Sequence, residues 1–392
     1  MPMPNRGVGV IAPELELFRD WLLPMIPERR LKHVVYFAPG DPDNPLTFCP
    51  FAIEPGEDRS RAAGDLYAIF RRAIGDEAMG ARMAPIVANC FGVLVGRPHT
   101  TFWDVKRLLE DRKFRELIAA ETDDPYMREF WLKTYESYPK GAHLPIINRL
   151  DQFLRPKALR KALTHPVSSF SIRQCLSEGL ILLLDLSRLP PDAMLLLGQM
   201  LLSKFQIELM RREAVPLEER RPFYLFADEF QTFSGVSEST WRELLSRGRR
   251  YGLRLTLAHQ YPGQLPHALR DEIFGNAGSM LALTLGFKDA QAVRGEFLEP
   301  SRDGRPAKPV PSSAFVSLRT GRGIARLGGG SYALRVTCTP PIPQPSREWG
   351  EVVRETSWRL YGNNTPPPPT FSPNTASAAT SSGPVEEDEV LD

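Results

Sequence analysis

The stretch FYLFADEF, residues 223–230, is an apolar run that ends in two adjacent carboxylates, Asp228 and Glu229. An apolar run of this length predicts a strand that is buried on both faces of a parallel sheet. The two acids at its end admit two interpretations. Either the strand simply runs out into solvent there, or the acids serve a metal ion and a water molecule beside a phosphate.

Similar strand-length apolar runs occur elsewhere and alternate with helical patterns. They are GVGVIA (7–12), VVYFA (34–38), LILLLDLS (180–187) and LRLTLA (253–258). Strands that alternate with helices predict an α/β fold with a mostly parallel sheet flanked by helices. Near the end of the chain, FVSLRT, GIARL and YALRVTC predict short antiparallel strands with glycine turns.

Two further segments differ from this alternation. Residues 58–165 place apolar side chains three and four apart throughout, which predicts an all-helical insertion. The Pro-, Ser- and Thr-rich tail with its acidic tip has too few apolar residues to order itself, so we expect it to be disordered. The predicted divisions are therefore 1–57, 58–165, 166–362 and the tail 363–392.

Composition excludes some classes of protein and leaves others open. The net charge of +2 over 392 residues argues neither for nor against a nucleic-acid partner. The four cysteines are far apart and form no metal-binding or disulfide pattern, which is typical of reduced thiols in a cytoplasmic protein. The longest apolar segment, MLLLGQMLL (194–202), is too short to span a bilayer, so the sequence predicts no membrane segment.

Polar and basic residues follow the acidic strand. LRLTLAHQ ends in Gln260, which is either a turn residue or a side chain that contacts a γ-phosphate beside the two acids. The segment STWRELLSRGRRYGLR (239–254) carries five arginines and includes Arg249. Such a basic segment is either a solvated face or the source of an arginine that reaches a neighbouring subunit's triphosphate.

These motifs together resemble a known family. FYLFADEFQTF, ELLSRGRRYGLRLTLAHQYPGQLP (243–266) and ALRDEIFGNAGSMLALTLGFKDAQAV (268–293) resemble the C-terminal half of the motor domain of conjugative type IV secretion coupling proteins. These are the TraG/TraD group, relatives of the HerA and FtsK translocases. The segment that starts GVGVIAPELELF is similar to the part that follows the P-loop helix in this family, and SWRLYG (357–362) to its C-terminal boundary.

The resemblance implies a RecA-like ring ATPase, usually hexameric, that uses ATP and Mg²⁺ to move DNA or a relaxase–DNA complex toward a secretion channel. By position, Asp228 would be the Mg²⁺-side acid, Glu229 the catalytic glutamate, Gln260 the sensor and Arg249 an arginine finger. Secretion-channel or accessory proteins, of the TraM type among others, would be further partners. The protein would be cytoplasmic, or peripheral at the inner face of the plasma membrane.

Two departures from the family pattern carry consequences. No GxxxxGK[ST] loop occurs in the sequence, and the family has this phosphate-binding loop just upstream of the matching segment. We therefore expect a truncated motor that lacks one strand and its covering helix, with an open sheet edge. Ala12 also stands where relatives commonly have Asp.

Several explanations of the missing loop stay open at this point. Either the start codon is assigned too late, or the reading frame is broken, or a separate chain supplies the loop. A remnant that binds partners without hydrolysing ATP is the alternative from another functional class. Within the motor class, a HerA-like DNA translocase without a role in secretion is the alternative. The acidic tail is either a partner-recognition segment or a solubilising one.

Overall fold

The structure is a computed structural model of the chain. It describes residues 6–74, 76–234, 238–300, 306–328, 330, 332–338 and 346–362. The tail that was predicted to be disordered, 363–392, lies outside the described residues.

A five-stranded parallel sheet forms the centre of the fold, and the predicted apolar runs supply all of its strands. Their order in the sheet is β2-β3-β1-β4-β5, and every neighbouring pair is parallel. The α/β fold predicted from the alternation of strands and helices is confirmed. The strands are β1 (Gly7–Ala12), β2 (Val34–Phe37), β3 (Ile181–Asp185), β4 (Phe223–Ala227) and β5 (Leu253–Leu257).

Helices fill the connection between β2 and β3, and the described part of 58–165 contains no strand. The helical character predicted for this segment is therefore correct, while its boundaries as a domain stay a prediction. Thr101 begins one of its helices through a capping box with Asp104, which satisfies two backbone N–H groups. The helices are α1 (Arg59–Ile74), α2 (Asp76–Leu94), α3 (Phe102–Glu110), α4 (Arg112–Glu121), α5 (Pro125–Glu129), α6 (Leu144–Phe153), α7 (Lys157–Leu163) and α8 (Ile172–Glu178).

Helix α9 (Pro191–Met210) connects β3 to β4, helices α10 (Gln231–Ser234) and α11 (Glu238–Arg247) connect β4 to β5, and α12 (His267–Asn276) follows β5. Helix α9 continues as helical turns to Ala214. Among the described residues this stretch is the one helix long and apolar enough to cross a membrane, and 67% of its most apolar window is buried inside the protein. Its apolar character is therefore accounted for by its position in the core.

A second sheet lies near the end of the chain and is antiparallel, in the order β6-β7-β8. Its strand β6 was not predicted, and the prediction of a strand over FVSLRT is wrong. That segment begins as the end of a short helix because Pro311 starts a helical turn that buries Phe315 completely. The elements are β6 (Met280–Ala282), α13 (Phe287–Val293), α14 (Ser312–Val316), β7 (Arg322–Arg326), β8 (Leu334–Thr337) and α15 (Arg347–Tyr361).

The two faces of the parallel sheet are covered unequally. One face shares a single hydrophobic cluster with α8, α9, α11 and the helical segment. The other face is covered over β1, β2 and β3 by Phe18 and Val353. Over β4 and β5 this second face presents Phe226, Arg254 and Thr256, which are exposed. A parallel sheet usually has both faces covered, but the described residues leave this part of the second face exposed.

Helix α15 closes the outer edge of the sheet at β2. The backbone N–H of Tyr36 donates to the Ser357 hydroxyl at 2.9 Å, and the Trp358 indole N–H donates to the Tyr36 carbonyl at 3.2 Å. The Trp358 ring also stacks on the Tyr36 ring. These contacts satisfy backbone groups that an edge strand would otherwise leave unpaired.

A buried carboxylate lies beneath this closure. Asp185 is 2% exposed, and its carboxylate accepts the Tyr36 hydroxyl at 2.7 Å and the Ser187 backbone N–H at 3.0 Å. Burial raises the pKa of Asp185, while the hydrogen bonds from Ser187 and Tyr36 oppose that rise. The Tyr36 hydroxyl therefore stabilises the charged form of a carboxylate that burial destabilises.

We expect Tyr36→Phe to lower the free energy of unfolding by about 1–3 kcal/mol at pH 8, because the buried carboxylate loses a donor. The loss should be smaller at pH 4, where the raised pKa keeps more of Asp185 protonated in the folded protein. Urea unfolding at the two pH values measures both quantities. Tyr126→Phe, at a tyrosine that is 67% exposed, is the control and should change little. An equal loss at both pH values would contradict the role of the hydroxyl.

Candidate functional site

The carboxyl ends of β1, β4 and β5 meet at one edge of the parallel sheet. The backbone N–H of Asp228, just after β4, donates to the Ile11 carbonyl of β1 at 3.0 Å. The backbone N–H of Phe230 donates to the Ala258 carbonyl, just after β5, at 3.1 Å. These bonds hold Asp228 and Glu229 at the edge where ligands of open α/β sheets bind.

The structure brings Glu229 and Gln260 together. The Gln260 side-chain amide donates to Glu229 Oε1 at 3.1 Å, and the Gln231 amide donates to the other carboxylate oxygen, Oε2. The Glu229 carboxylate is thus held between two amides, one from Gln231 at the start of α10 and one from Gln260 in the loop after β5. Gln231 was not predicted as a site residue, although its position two residues after Glu229 was a usable signal.

The backbone of Glu229 is in the left-handed region, with φ of 47°. This conformation costs a residue with a Cβ roughly 1–2 kcal/mol. Asp228 Oδ1 accepts the Glu229 N–H at 3.0 Å, and the Glu229 carbonyl accepts the Thr232 N–H at 2.9 Å, so local hydrogen bonds hold the turn. Strained backbone of this kind concentrates at functional sites, which favours a functional interpretation over a plain strand end.

Phe230 anchors the loop after β4 to the hydrophobic core. Its ring is fully buried and meets the rings of Trp241 and His259 edge-to-face, at 5.6 and 5.3 Å between centroids. Burial lowers the pKa of His259, so its imidazole is neutral at pH 7. The aromatic contacts fix the loop while leaving Glu229 at the surface of the edge.

A further acid, Glu14, lies beside the two predicted ones. Its pKa is raised by burial first, and then by the negative charges of Asp228, Glu229 and Glu16. Ala12, in place of the acid that the family resemblance leads one to expect, is fully buried in register with Asp185 on β3. Glu14 follows β1 two residues after Ala12, and the sequence analysis did not identify it as a neighbour of Asp228 and Glu229.

These carboxylates can serve a magnesium ion only together with other ligands. Mg²⁺ takes hard oxygen ligands, and it commonly binds through one or two carboxylates, waters and substrate phosphates. Asp228 and Glu14 offer oxygens of this kind, and their mutual repulsion would be relieved by a cation. Within the part of the chain that the structure describes, no group of three or more His, Cys, Asp or Glu side chains could hold a metal by itself.

Arg249 lies away from the other predicted site residues. It is exposed in the helical turn Gly248–Tyr251, which precedes β5, whereas Gln260 follows β5. The five residues of β5 separate the two ends by about 16 Å, at about 3.3 Å per residue. Arg249 therefore cannot reach Glu229 of its own chain. Among the described side chains, none forms a hydrogen bond or ion pair with that of Arg249.

The chain is similar to known proteins in its structure and not in its sequence. No protein-family model matches the chain, and no curated protein matches it in sequence. The conjugative coupling protein TrwBΔN70, in an unbound crystal form, aligns with a TM-score of 0.58 and 15% identity over 87% of this chain and 80% of its own. TrwB with the ATP analogue ADPNP gives 0.56 and 15%, over 88% and 87% of the two chains. TrwB with ADP and Mg²⁺ gives 0.55 and 15%, also over 88% and 87%.

The likeness to TrwB establishes the fold. The chain has a RecA-like α/β fold, in which a parallel sheet is flanked by helices, and this fold is shared with conjugative coupling proteins. The fold class inferred from the sequence motifs is thus confirmed. At 15% identity, this likeness shows the fold alone.

We expect Glu229→Gly to raise the free energy of unfolding by up to about 1 kcal/mol, because glycine adopts the left-handed backbone without a Cβ penalty. Glu229→Gln is the matched control, since it removes the charge and keeps the Cβ. Chemical unfolding should rank the glycine variant above the glutamine variant. If Glu229→Gln raises the free energy of unfolding as much as Glu229→Gly does, the gain comes from removing charge repulsion and not from relieving backbone strain.

Proposed function

We propose that this chain is the part of a conjugative coupling ATPase motor that carries the catalytic acids and the sensor glutamine. The observation that supports the proposal is the Glu229 carboxylate, held by the Gln260 and Gln231 amides at the carboxyl edge of the sheet. This is the edge at which a nucleotide would bind in such a fold. TrwB structures of the same fold are described with ADPNP and with ADP and Mg²⁺.

In this proposal each residue has a distinct role in ATP hydrolysis. Asp228 would hold Mg²⁺, directly or through water, and the bound ion would neutralise charge on the phosphate oxygens. Glu229 would orient and polarise the attacking water, since its carboxylate is already positioned by two amides. The Gln260 amide, which now donates to Glu229, would donate to a γ-phosphate oxygen when ATP is bound. The hydrogen bond between Gln260 and Glu229 would thereby depend on whether ATP is bound.

Arg249 would act on a neighbouring copy of the chain. Because it lies at the amino end of β5, it is far from the acids of its own subunit and near them only across a head-to-tail contact. Such contacts generate rings when the rotation closes. The charges of the two ends are complementary, with Glu14, Asp228 and Glu229 at one and exposed Arg249 at the other. We infer a ring, with six subunits as in the family that the sequence resembles.

The phosphate-binding loop would come with a strand and a helix that this sequence does not contain. Among the described residues β5 pairs with β4 alone, and β6 ends the second sheet with β7 as its partner. Phe226 is exposed on the uncovered face of β4 and β5. Leu281 in β6 and Leu283 just after it are at least half exposed. A strand between β5 and β6, with a helix over these side chains, would pair both edges and cover the apolar surface.

The substrate and the location follow from the same proposal. The motor would move DNA or a relaxase–DNA complex toward secretion-channel proteins, from the cytoplasm or from the inner face of the plasma membrane. ATP and Mg²⁺ would be its cofactors. The recognition role of the acidic tail, 363–392, stays a prediction, because the tail lies outside the described residues.

We expect the purified chain alone to show no Mg·ATP turnover, because the phosphate-binding loop is absent from its sequence. The product of any longer reading frame that adds an in-frame glycine-lysine-serine or glycine-lysine-threonine loop should hydrolyse ATP. There, Glu229→Gln should lower kcat at least 100-fold and leave nucleotide binding intact. Phosphate release and binding of a fluorescent ATP analogue measure the two effects. If the short chain hydrolyses ATP and Glu229→Gln abolishes that hydrolysis, the proposal that the phosphate-binding loop lies outside this chain is refuted.

We expect Arg249→Ala to abolish turnover in that longer protein while nucleotide binding is kept. Mixing Arg249→Ala subunits with Glu229→Gln subunits should restore part of the activity, because some interfaces in mixed rings then combine an intact Glu229 with an intact Arg249. Arg247→Ala, at an exposed arginine two residues earlier, is the control and should stay active. If mixing restores nothing, or if binding falls with turnover, Arg249 has a structural role.

A further inference from the structure

The charges of the chain are divided unequally between its tail and the rest. Residues 363–392 carry five acidic side chains and no basic one, so residues 1–362 have a net charge of +7, whereas the whole chain has +2. A block of like charge is typical of an interaction tail, and a negative one favours a positively charged partner. We call residues 386–392 the acidic segment, because they contain all five acids: Glu386, Glu387, Asp388, Glu389 and Asp392.

The tail begins at the amino edge of the parallel sheet, where the strands start. Helix α15 packs along β2 and ends at Tyr361, whose hydroxyl donates to the Lys32 carbonyl at 3.4 Å. Lys32 precedes β2, so this end of α15 lies at the amino edge, opposite the Glu229 site. The chain that follows Gly362 therefore starts from this edge.

The amino edge is positively charged. It consists of residues 28–33, 178–180, 212–222 and 249–254, which precede β2, β3, β4 and β5 or begin β5. In these segments nine arginines and lysines outnumber five glutamates, so the balance is positive. The exposed cations are Arg29, Lys32, Arg221, Arg249, Arg250 and Arg254.

The protein itself neutralises little of this exposed charge. Arg250 forms an ion pair with Glu213 at 3.4 Å, but both side chains are mostly exposed, so the pair is weak. The other exposed cations of the amino edge form no ion pair with a carboxylate of the described residues. An anionic partner would therefore make contacts that the described part of the chain does not make.

Hydrogen bonds join the segments of the amino edge into one surface. Arg30 donates to the Gly179 carbonyl at 2.7 Å, which connects the segments before β2 and β3. Arg221 donates to the Glu178 carbonyl at 3.0 Å, which connects those before β3 and β4. Arg212 donates to carbonyls in the segments before β4 and β5, at 2.7 and 2.9 Å. The surface thus runs from the start of the tail beside β2 to the turn before β5, about 19 Å away at about 4.8 Å per strand.

We propose that the acidic segment binds the amino edge of its own chain. Residues 363–385 span up to about 75 Å when extended, at about 3.3 Å per residue, so the acidic segment can reach every part of the edge. Guanidinium groups bind carboxylates through two parallel hydrogen bonds, and arginine supplies most of the exposed charge at this edge. The tail is thus matched to the surface in charge, in reach and in its point of origin.

Docking of the tail would compete with assembly. Arg249 lies at the same edge, and the proposed ring brings it to the acids of a neighbouring subunit. The acidic segment offers carboxylates as well, so tail and neighbour would exclude each other there. A tethered segment competes at a local concentration that does not depend on protein concentration. The tail would therefore keep dilute chains apart and yield to neighbours when chains are concentrated. This competition rests on the proposed function, whereas the docking itself does not.

Carbodiimide cross-linking of the full chain tests the docking, because it joins a carboxylate directly to a lysine that contacts it. At 50 mM salt, Lys32 should be linked to the acidic segment at least 5-fold more often than Lys113 or Lys140, which are exposed on the helical segment. Salt at 500 mM should lower the Lys32 yield at least 3-fold, because it screens exposed charges. In a mixture of ¹⁴N- and ¹⁵N-labelled chains, the links should join residues of one chain.

Charge reversal at the edge supplies a second readout. Arg29→Glu with Arg221→Glu should lower the Lys32 yield at least 3-fold, and Arg29→Gln with Arg221→Gln, which guards against misfolding, should lower it less. Arg149→Glu with Arg155→Glu, at exposed arginines of the helical segment, is the matched control and should leave the yield unchanged.

Three results would overturn the docking. Lys113 and Lys140 could be linked as often as Lys32, the links could join two different chains, or the control pair could lower the yield as much as the edge pair does. The first result means contact without preference, the second means that another copy is the partner, and the third means that overall charge alone is responsible.

Sedimentation velocity tests the competition separately. The variant without acids in the tail should self-associate with a dissociation constant at least 5-fold lower than that of the unaltered chain. If the Lys32 link forms and self-association is unchanged, the tail docks and the ring contact at this edge is contradicted. The five changes are Glu386→Gln, Glu387→Gln, Asp388→Asn, Glu389→Gln and Asp392→Asn.

Discussion

The parallel pairing of β1 between β3 and β4 is the constraint on which the rest of the structure depends. It joins segments that are far apart in sequence, with Val8 in register with Ile181 on one side and with Tyr224 on the other. Since every strand runs the same way, the pairing collects all carboxyl ends at one edge and all amino ends at the other. Acids and amides meet at the first edge and arginines at the second.

The two edges of the parallel sheet therefore differ in charge. Burial, and then the negative charges of Asp228, Glu229 and Glu16, raise the pKa of Glu14 at the carboxyl edge, while burial, and then a neighbouring arginine, lower the pKa values of Arg30 and Arg212 near the amino edge. In the proposed ring, the acids at the carboxyl edge of one subunit would face Arg249 at the amino edge of the next, and charges of opposite sign across such a contact favour it.

The Glu229 turn shows how local strain is maintained. Left-handed backbone at a glutamate is unfavourable, yet Asp228, Thr232 and the buried ring of Phe230 leave the chain little alternative. The same turn aims the carboxylate at Gln260. A solvated strand end has no reason to retain such strain, so the conformation itself favours a functional interpretation of the paired acids.

Apolar runs, helical periodicity and the paired acids were enough to predict the α/β class, all five parallel strands and the nearness of Glu229 to Gln260, because strand and helix periods are local properties. The sequence missed β6, mistook FVSLRT for a strand and did not reveal Gln231 or Glu14 as neighbours of the site. Gln231 lies two residues after Glu229 and offered a local signal, but the other features depend on contacts between distant segments, such as the cluster that buries Phe315 and the strand order that sets β1 beside β4. Only the tertiary structure shows that Arg249 and Glu229 lie at opposite ends of the sheet, because that placement requires β4 and β5 to pair in parallel, and strand pairing is a contact between distant segments.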